Sequence, residues 1–210
     1  MRSFPFPDQV LSREEISRDI QKDKIPSEKI EEISDNAWNQ GVRAAKDIMK
    51  AYKDKTIYEI MDQSGLVMER MQKERVTGNL RYFSEYDSKK SRITVYEGSI
   101  QKWALKNNCT YLEAEELILA HEYFHFLEST KLGELSKQYR VPALKIGRFV
   151  CIWSGIRALS EIGAHGFSRT YFDSKKAFGA ENTAVLRNAA MNIEKSSELM
   201  RRTCKKSDGH

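Results

Sequence analysis

One stretch, Ile118-Leu119-Ala120-His121-Glu122-Tyr123-Phe124-His125-Phe126-Leu127, constrains this chain more than any other. Tyr123, Phe124, Phe126 and Leu127 are all uncharged and suit a helix buried in a core. On such a helix His121 and His125, four residues apart, stand one turn above the other on a single face. Two imidazoles in that register bind one Zn²⁺ at about 2.0–2.1 Å each. Glu122 is offset by one residue, which aims its carboxylate at a water in the open metal position rather than at the metal. The motif supplies two ligands and a base. It lacks a third ligand.

Composition sets the frame for that helix. A chain of 210 residues fits one domain, or one with a helical appendage, and can bury a full core. Hydrophobic residues at 40% and charged residues at 31% describe an ordinary globular protein. The start, Met1-Arg2-Ser3-Phe4-Pro5-Phe6-Pro7, does not read as a signal peptide, and no run has the length of a membrane span. Cys109, Cys151 and Cys204 are odd in number and lack C-x-x-C spacing, which argues against a disulfide framework and for a reducing cytoplasm. The net charge is +5, with a small basic cluster at Arg201, Arg202, Lys205 and Lys206. No nucleic-acid motif accompanies that cluster, so no direct nucleic-acid contact is expected. The oligomeric state is not written in the sequence.

Along the chain, three capping boxes mark helix starts: Ser12 with Glu15, Thr56 with Glu59, and Thr110 with Glu113. Ile30, Ile33, Ala37, Gly41, Ala44, Ile48 and Tyr52 form one apolar stripe on a long helix after Pro26. Leu66 to Met71, Asn79 to Tyr86 and Arg92 to Tyr96 read as strands, the last two joined as a hairpin through Asp87-Ser88-Lys89-Lys90-Ser91. A short helix from about Ser99 to Lys106 leads to the Thr110 capping box, and Gly133 is the expected stop of the histidine helix. Leu144, Phe149, Ile152, Ile156 and Leu159 follow helical spacing. Gly147, Gly155 and Gly163 recur every eight residues and suggest a bare face for tight helix contact. The whole reads as a single α+β domain, mostly helical with a small antiparallel-rich sheet. Its N-terminal helices span about 12–63, the sheet about 66–97, the zinc helices about 110–172 and a last helix about 181–204.

There are four histidines, and His210 is the last residue. Glu128 and Lys131 stand where an H-E-x-x-H-x-x-G-x-x-H helix needs Gly and His. That leaves Glu161-Ile162-Gly163-Ala164-His165. Glu161 on a second helix completes a His₂Glu site with one position open to water. His165, one turn on, orients Glu161, contacts substrate, replaces Glu161 as ligand, or is a satisfied core histidine. The plainer reading of Glu161 is a surface ion pair with Arg157.

These residues resemble the zincin metallopeptidases, in the gluzincin group with H-E-x-x-H followed by E-x-x-A. In layout they are similar to the ImmA/IrrE-type branch, whose members act on repressors and stress regulators in bacteria. The likeness runs from about Ala37 to Phe172, with two departures. The connection from His125 to Glu161 is longer than usual, and Ala164-His165-Gly166-Phe167 replaces a run of small residues.

The resemblance implies a zinc endopeptidase acting on a protein or peptide substrate, possessing no membrane segment. Zn²⁺ would be held by His121, His125 and Glu161, with Glu122 as general base and then acid. His165 and Tyr171 are candidate donors to the oxyanion. Ile93, Thr94, Val95 and Tyr96 are expected as the edge strand that aligns substrate. Two other readings stand beside this one: a zinc-binding module of the same fold without proteolysis, and a helical interaction protein with an accidental motif.

Overall fold

The computed structural model describes residues 7–146 and 149–178. The chain divides into two compact units, Met1–Phe172 and Asp173–His210. The described part of the second is the end of one helix, and the helix expected over 181–204 lies outside the described residues. No helix among the described residues is long and apolar enough to cross a membrane.

Two one-turn helices open the described chain, α1 (Gln9–Ser12) and α2 (Glu15–Arg18). The expected capping box at Ser12 is not formed. Asp8 caps α1 through the Leu11 N–H, and Ser12 is buried at the helix end. The long helix α3 (Ser27–Ala51) buries the predicted stripe at Ile33, Ala37, Gly41, Ala44 and Ile48. Helix α4 (Ile57–Gln63) begins at Thr56 with its capping box in place.

Strand β1 (Val67–Met71) is followed by a small hairpin, β2 (Arg75–Thr77) and β3 (Leu80–Tyr82). Strands β4 (Ser84–Asp87) and β5 (Arg92–Tyr96) form the second hairpin. The Asn79–Tyr86 run is thus split between two sheets. In the three-stranded sheet the order is β1-β5-β4, with β1 parallel and β4 antiparallel to β5. The sheet is mixed because the chain makes the β2–β3 excursion before returning, which supplies the crossover that parallel pairing needs. Ile93 and Val95 point into the core and are fully buried.

Helix α5 (Glu97–Lys106) leads to the second intact capping box, at Thr110, and to helix α6 (Tyr111–Leu127). Helix α6 is buried almost all round, from Leu117 to Ala120 and at Tyr123, Phe124, Phe126 and Leu127. Its N-terminal half is fastened by buried Glu115, which accepts hydrogen bonds from the hydroxyls of Tyr58 and Tyr111 and from Arg70. After Leu127 the helix widens into a π turn over Glu128–Leu132 and ends at Gly133, whose φ of 78° is left-handed.

The expected helix through Leu144, Phe149 and Ile152 does not exist. Strands β6 (Arg140–Ile146) and β7 (Phe149–Gly155) form an irregular antiparallel hairpin there. The run Phe149-Val150-Cys151-Ile152-Trp153 is β-branched and aromatic, which favours a strand and outweighs the spacing. Helix α7 (Ala158–Phe178) follows. It packs between α3 and α6 with backbone in direct contact. A Cβ on Gly41 would collide with the Gly163 carbonyl, and one on Gly163 would meet the Phe124 ring at 2.8 Å. Gly163 serves helix packing, Gly155 lies in β7 against the Ser136 carbonyl, and Gly147 lies outside the described residues.

Candidate metal centre

Helix α6 brings the Nε2 atoms of His121 and His125 to 3.2 Å from each other. Glu161 enters from the first turn of α7, where the helix N-terminus favours a carboxylate. Its two oxygens lie 3.2 Å from His121 Nε2 and 3.7 Å from His125 Nε2. All three donor atoms fall within 4.8 Å of one another. Two donors at about 2.0–2.1 Å from one tetrahedral ion are roughly 3.3 Å apart, so these residues fit a single Zn²⁺ in spacing and in donor type. Glu161 thus faces the two histidines, and its alternative ion pair with Arg157 is not formed.

Without a metal, the imidazoles and carboxylates of this cluster shift one another's protonation. Burial alone would raise the Glu161 pKa, but the His121 hydrogen bond and the histidine charges bring it down to about 2. Burial alone would lower the His125 pKa, but Glu128 and the nearby Glu161 and Glu122 carboxylates raise it to about 9.

Glu128 is the residue that sequence reading passed over. It served there only to exclude another motif, although it stands one turn beyond His125. Its buried carboxylate lies 2.9 Å from His125 Nδ1 through one oxygen. The other oxygen accepts the Leu135 N–H at 2.9 Å and the Ser160 hydroxyl at 2.8 Å. A carboxylate so placed fixes the ring orientation of a ligating histidine. Through Ser160 it also joins the second histidine to the residue preceding Glu161.

Glu122 stands beside the three donors and outside their triangle. Its Oε1 accepts the Ser84 hydroxyl at 2.6 Å, from the first residue of β4. His165 lies one turn after Glu161, its ring centre 5.5 Å from that of His121 and its Nδ1 3.2 Å from the Ser12 hydroxyl. Burial and the His121 charge push its pKa down to about 3, so it is neutral. The N-terminal segment is fixed to α7 at a second point, where buried Asp19 accepts the Ala158 N–H at 2.9 Å. Ser84, Ser12 and Asp19 left no signal in the sequence, because each meets its partner across a long stretch of chain.

Two expectations need correction. Tyr171 is ten residues beyond Glu161, about 15 Å along the helix axis. It is buried, stacked on Phe167 at 6.4 Å, and its hydroxyl pKa is raised by burial and by Glu116. It takes no part in the centre. Ile93, Thr94, Val95 and Tyr96 form the central strand, already paired on both sides, so they offer no free edge. The edge strand beside the centre is β4.

A cleft of about 930 Å³ opens over the centre. His121, Glu122, His125, Glu161 and His165 form its floor, and Ser84, Glu85 and Tyr86 form one side. Phe83 and Trp103, in edge contact at 6.0 Å, and Ile118 are apolar lining residues, while Pro7 and Arg18 of the N-terminal segment also border it. A second cavity of about 680 Å³ lies over the polar face of the sheet, at Arg92 and Thr94. It contains none of the metal-donor residues. No protein-family model, no curated protein and no solved structure matches the chain.

Proposed function

We propose that this protein is a zinc-dependent endopeptidase of the zincin type, working in the cytoplasm on a protein or peptide substrate. The observation that carries the reading is the triangle of His121, His125 and Glu161 with Glu122 beside it, at the floor of an open cleft. A Zn²⁺ bound there would supply a Lewis acid and bring the pKa of a water from 15.7 to about 7. The residues around it do the rest. Glu122 accepts one proton of the attacking water as its oxygen bonds to the carbonyl carbon. As the C–N bond breaks, Glu122 passes that proton to the leaving nitrogen. The Ser84 hydrogen bond holds the carboxylate in place for both steps.

Substrate alignment falls to β4. The Tyr96 N–H donates to the Phe83 carbonyl, so by the antiparallel alternation Phe83 and Glu85 turn their backbone groups toward β5. Ser84 and Tyr86 then turn theirs outward, along the cleft. An extended peptide can add to that edge by main-chain hydrogen bonds. The Phe83, Trp103 and Ile118 side chains in the cleft suit a large apolar side chain of the substrate.

The test uses the zinc-loaded protein and a library of peptides, followed by mass spectrometry of new termini. The parent should cleave peptides bearing a large apolar residue. Glu122→Gln should lose about 10²–10⁴-fold in rate, the usual share of general acid–base catalysis, with zinc content unchanged. Equal cleavage by both proteins would overturn the mechanism. Zinc retained by both with no cleavage by either would favour the partner-binding module.

A further inference from the structure

Outside the cleft, the outer half of the β6–β7 hairpin carries apolar side chains in the open. Ile152 and Trp153 are consecutive in β7, so their side chains point to opposite faces of the hairpin. They are 53% and 54% exposed. Leu144, paired with Ile152 across the hairpin, is 46% exposed. Singly, such residues need no explanation. Here they crowd one hairpin and stand on both of its faces, so at this level neither face lies on the core. The stem is firmly held all the same. Val141 and Ile156 are buried, the Ile156 N–H donates to the Ser136 carbonyl at 2.8 Å, and the Lys24 ammonium donates to the Ala143 carbonyl at 2.9 Å.

Charge identifies the occupant. From Leu135 to Ser160 the chain holds Lys137, Arg140, Lys145, Arg148 and Arg157 and no Asp or Glu. Arg140 is exposed at the start of β6, and Lys24 adds a further cation against the same strand. A second copy of the hairpin would bring like charges together. A protein groove covers one face of a two-stranded ribbon and leaves the other wet. Nucleic acid would use the cations and the Trp153 ring but has no use for Leu144 and Ile152. An anionic lipid surface suits the whole set: apolar side chains of both faces sink to the acyl boundary while Lys and Arg meet the headgroups. Tryptophan favours that depth because its ring is amphipathic. No helix among the described residues spans a bilayer, so this contact lies in the interface, where water still reaches the backbone edges of the hairpin.

We propose that the β6–β7 hairpin docks this protein on an anionic lipid surface. The proposal does not rest on the peptidase reading. The experiment is sedimentation of the full chain with vesicles of phosphatidylcholine alone, or of phosphatidylcholine and phosphatidylserine in equal parts, with acyl-brominated lipid to quench tryptophan. The parent should bind the mixed vesicles, release them as salt is raised, and bind phosphatidylcholine more weakly. The double variant Ile152→Ser, Trp153→Ser alters exposed positions only. It should keep its thermal transition and bind at least about tenfold more weakly. Arg140→Gln should bind about fivefold more weakly, the share of one cation near such a surface. Trp153→Phe should still bind while losing most of the quenching by brominated lipid.

A parent that ignores phosphatidylserine vesicles would overturn the proposal. Undiminished binding by the double variant would place the contact at the basic cluster of Arg201 to Lys206 and overturn it too. A bound parent whose fluorescence brominated lipid leaves unchanged would do the same, and that result needs no variant. Dimerisation lost in the double variant, in place of vesicle binding, would assign the hairpin to a second copy and overturn the lipid contact.

Discussion

At the scale of single residues, the proposed centre separates candidate ligands from the residues that support them. Glu161→Ala removes one donor of three and should abolish stoichiometric zinc in elemental analysis, whereas His165→Ala should retain it. Glu128→Gln keeps the volume but loses the charge beside His125. It should weaken zinc about 10–100-fold in a competitive chelator titration, the usual cost of losing such a partner. Unchanged affinity would mean that Leu135 and Ser160 alone account for this buried carboxylate. His121, Glu122 and His125 were legible because helical periodicity makes neighbours of residues four apart. Glu161 was legible as the well-placed carboxylate of a second apolar helix. Ser12 and Ser84 were not, since they meet their partners across 153 and 38 residues. Tyr171 was misplaced because nearness in sequence along a helix is distance in space.

At the scale of elements, local chemistry was readable and pairing was not. The boxes at Thr56 and Thr110 are complete within four residues, and both formed. Ser12 with Glu15 has the same letters but lost to a tertiary bond with His165. The hairpin at β6 and β7 was hidden by an apolar spacing that mimics a helix turn. The parallel register of β1 on β5 depends on a partner more than twenty positions away, which no local pattern encodes. The position of β5 has a measurable consequence. Thr94 pairs with Glu85 on one side and Glu69 on the other, so Thr94→Pro removes a ladder bond from the middle of the sheet. That variant should fail to give a cooperative thermal transition. A folded, zinc-binding Thr94→Pro would mean that β5 is an edge after all.

At the scale of the molecule, the centre is assembled from α1, β4, α6 and α7, so it exists only when the fold does. A metal that binds the folded state alone adds about 2.7 kcal/mol at one hundred times its Kd. For a domain of this size that raises Tm by roughly 5–11 °C, at about 2–4 °C per kcal/mol. Scanning calorimetry with zinc and then with excess chelator should show the shift in the parent and lose it in His121→Ala. An equal shift in both would place the stabilising metal elsewhere. The α+β class and the order of sheet and motif helix were readable in the sequence. The N-terminal segment as a wall of the cleft was not, because nothing in Asp8 to Asp19 announces what it will cover.

The contact at Gly163 carries one more implication. Helix α7 is trapped there between the Gly41 backbone and the Phe124 ring, two residues after Glu161 and one before His125. The seat of the Gly163 backbone on the Phe124 ring therefore sets how closely α7 approaches α6 beside Glu161 and His125. The fold acts as a caliper. Calcium asks for six to eight oxygens at about 2.3–2.6 Å, whereas the donors gathered here are two imidazole nitrogens and one carboxylate. Helix packing thus sets the spacing of the three donors as well as their chemistry does, and a methyl group on Gly163 would change that spacing without touching a single donor atom.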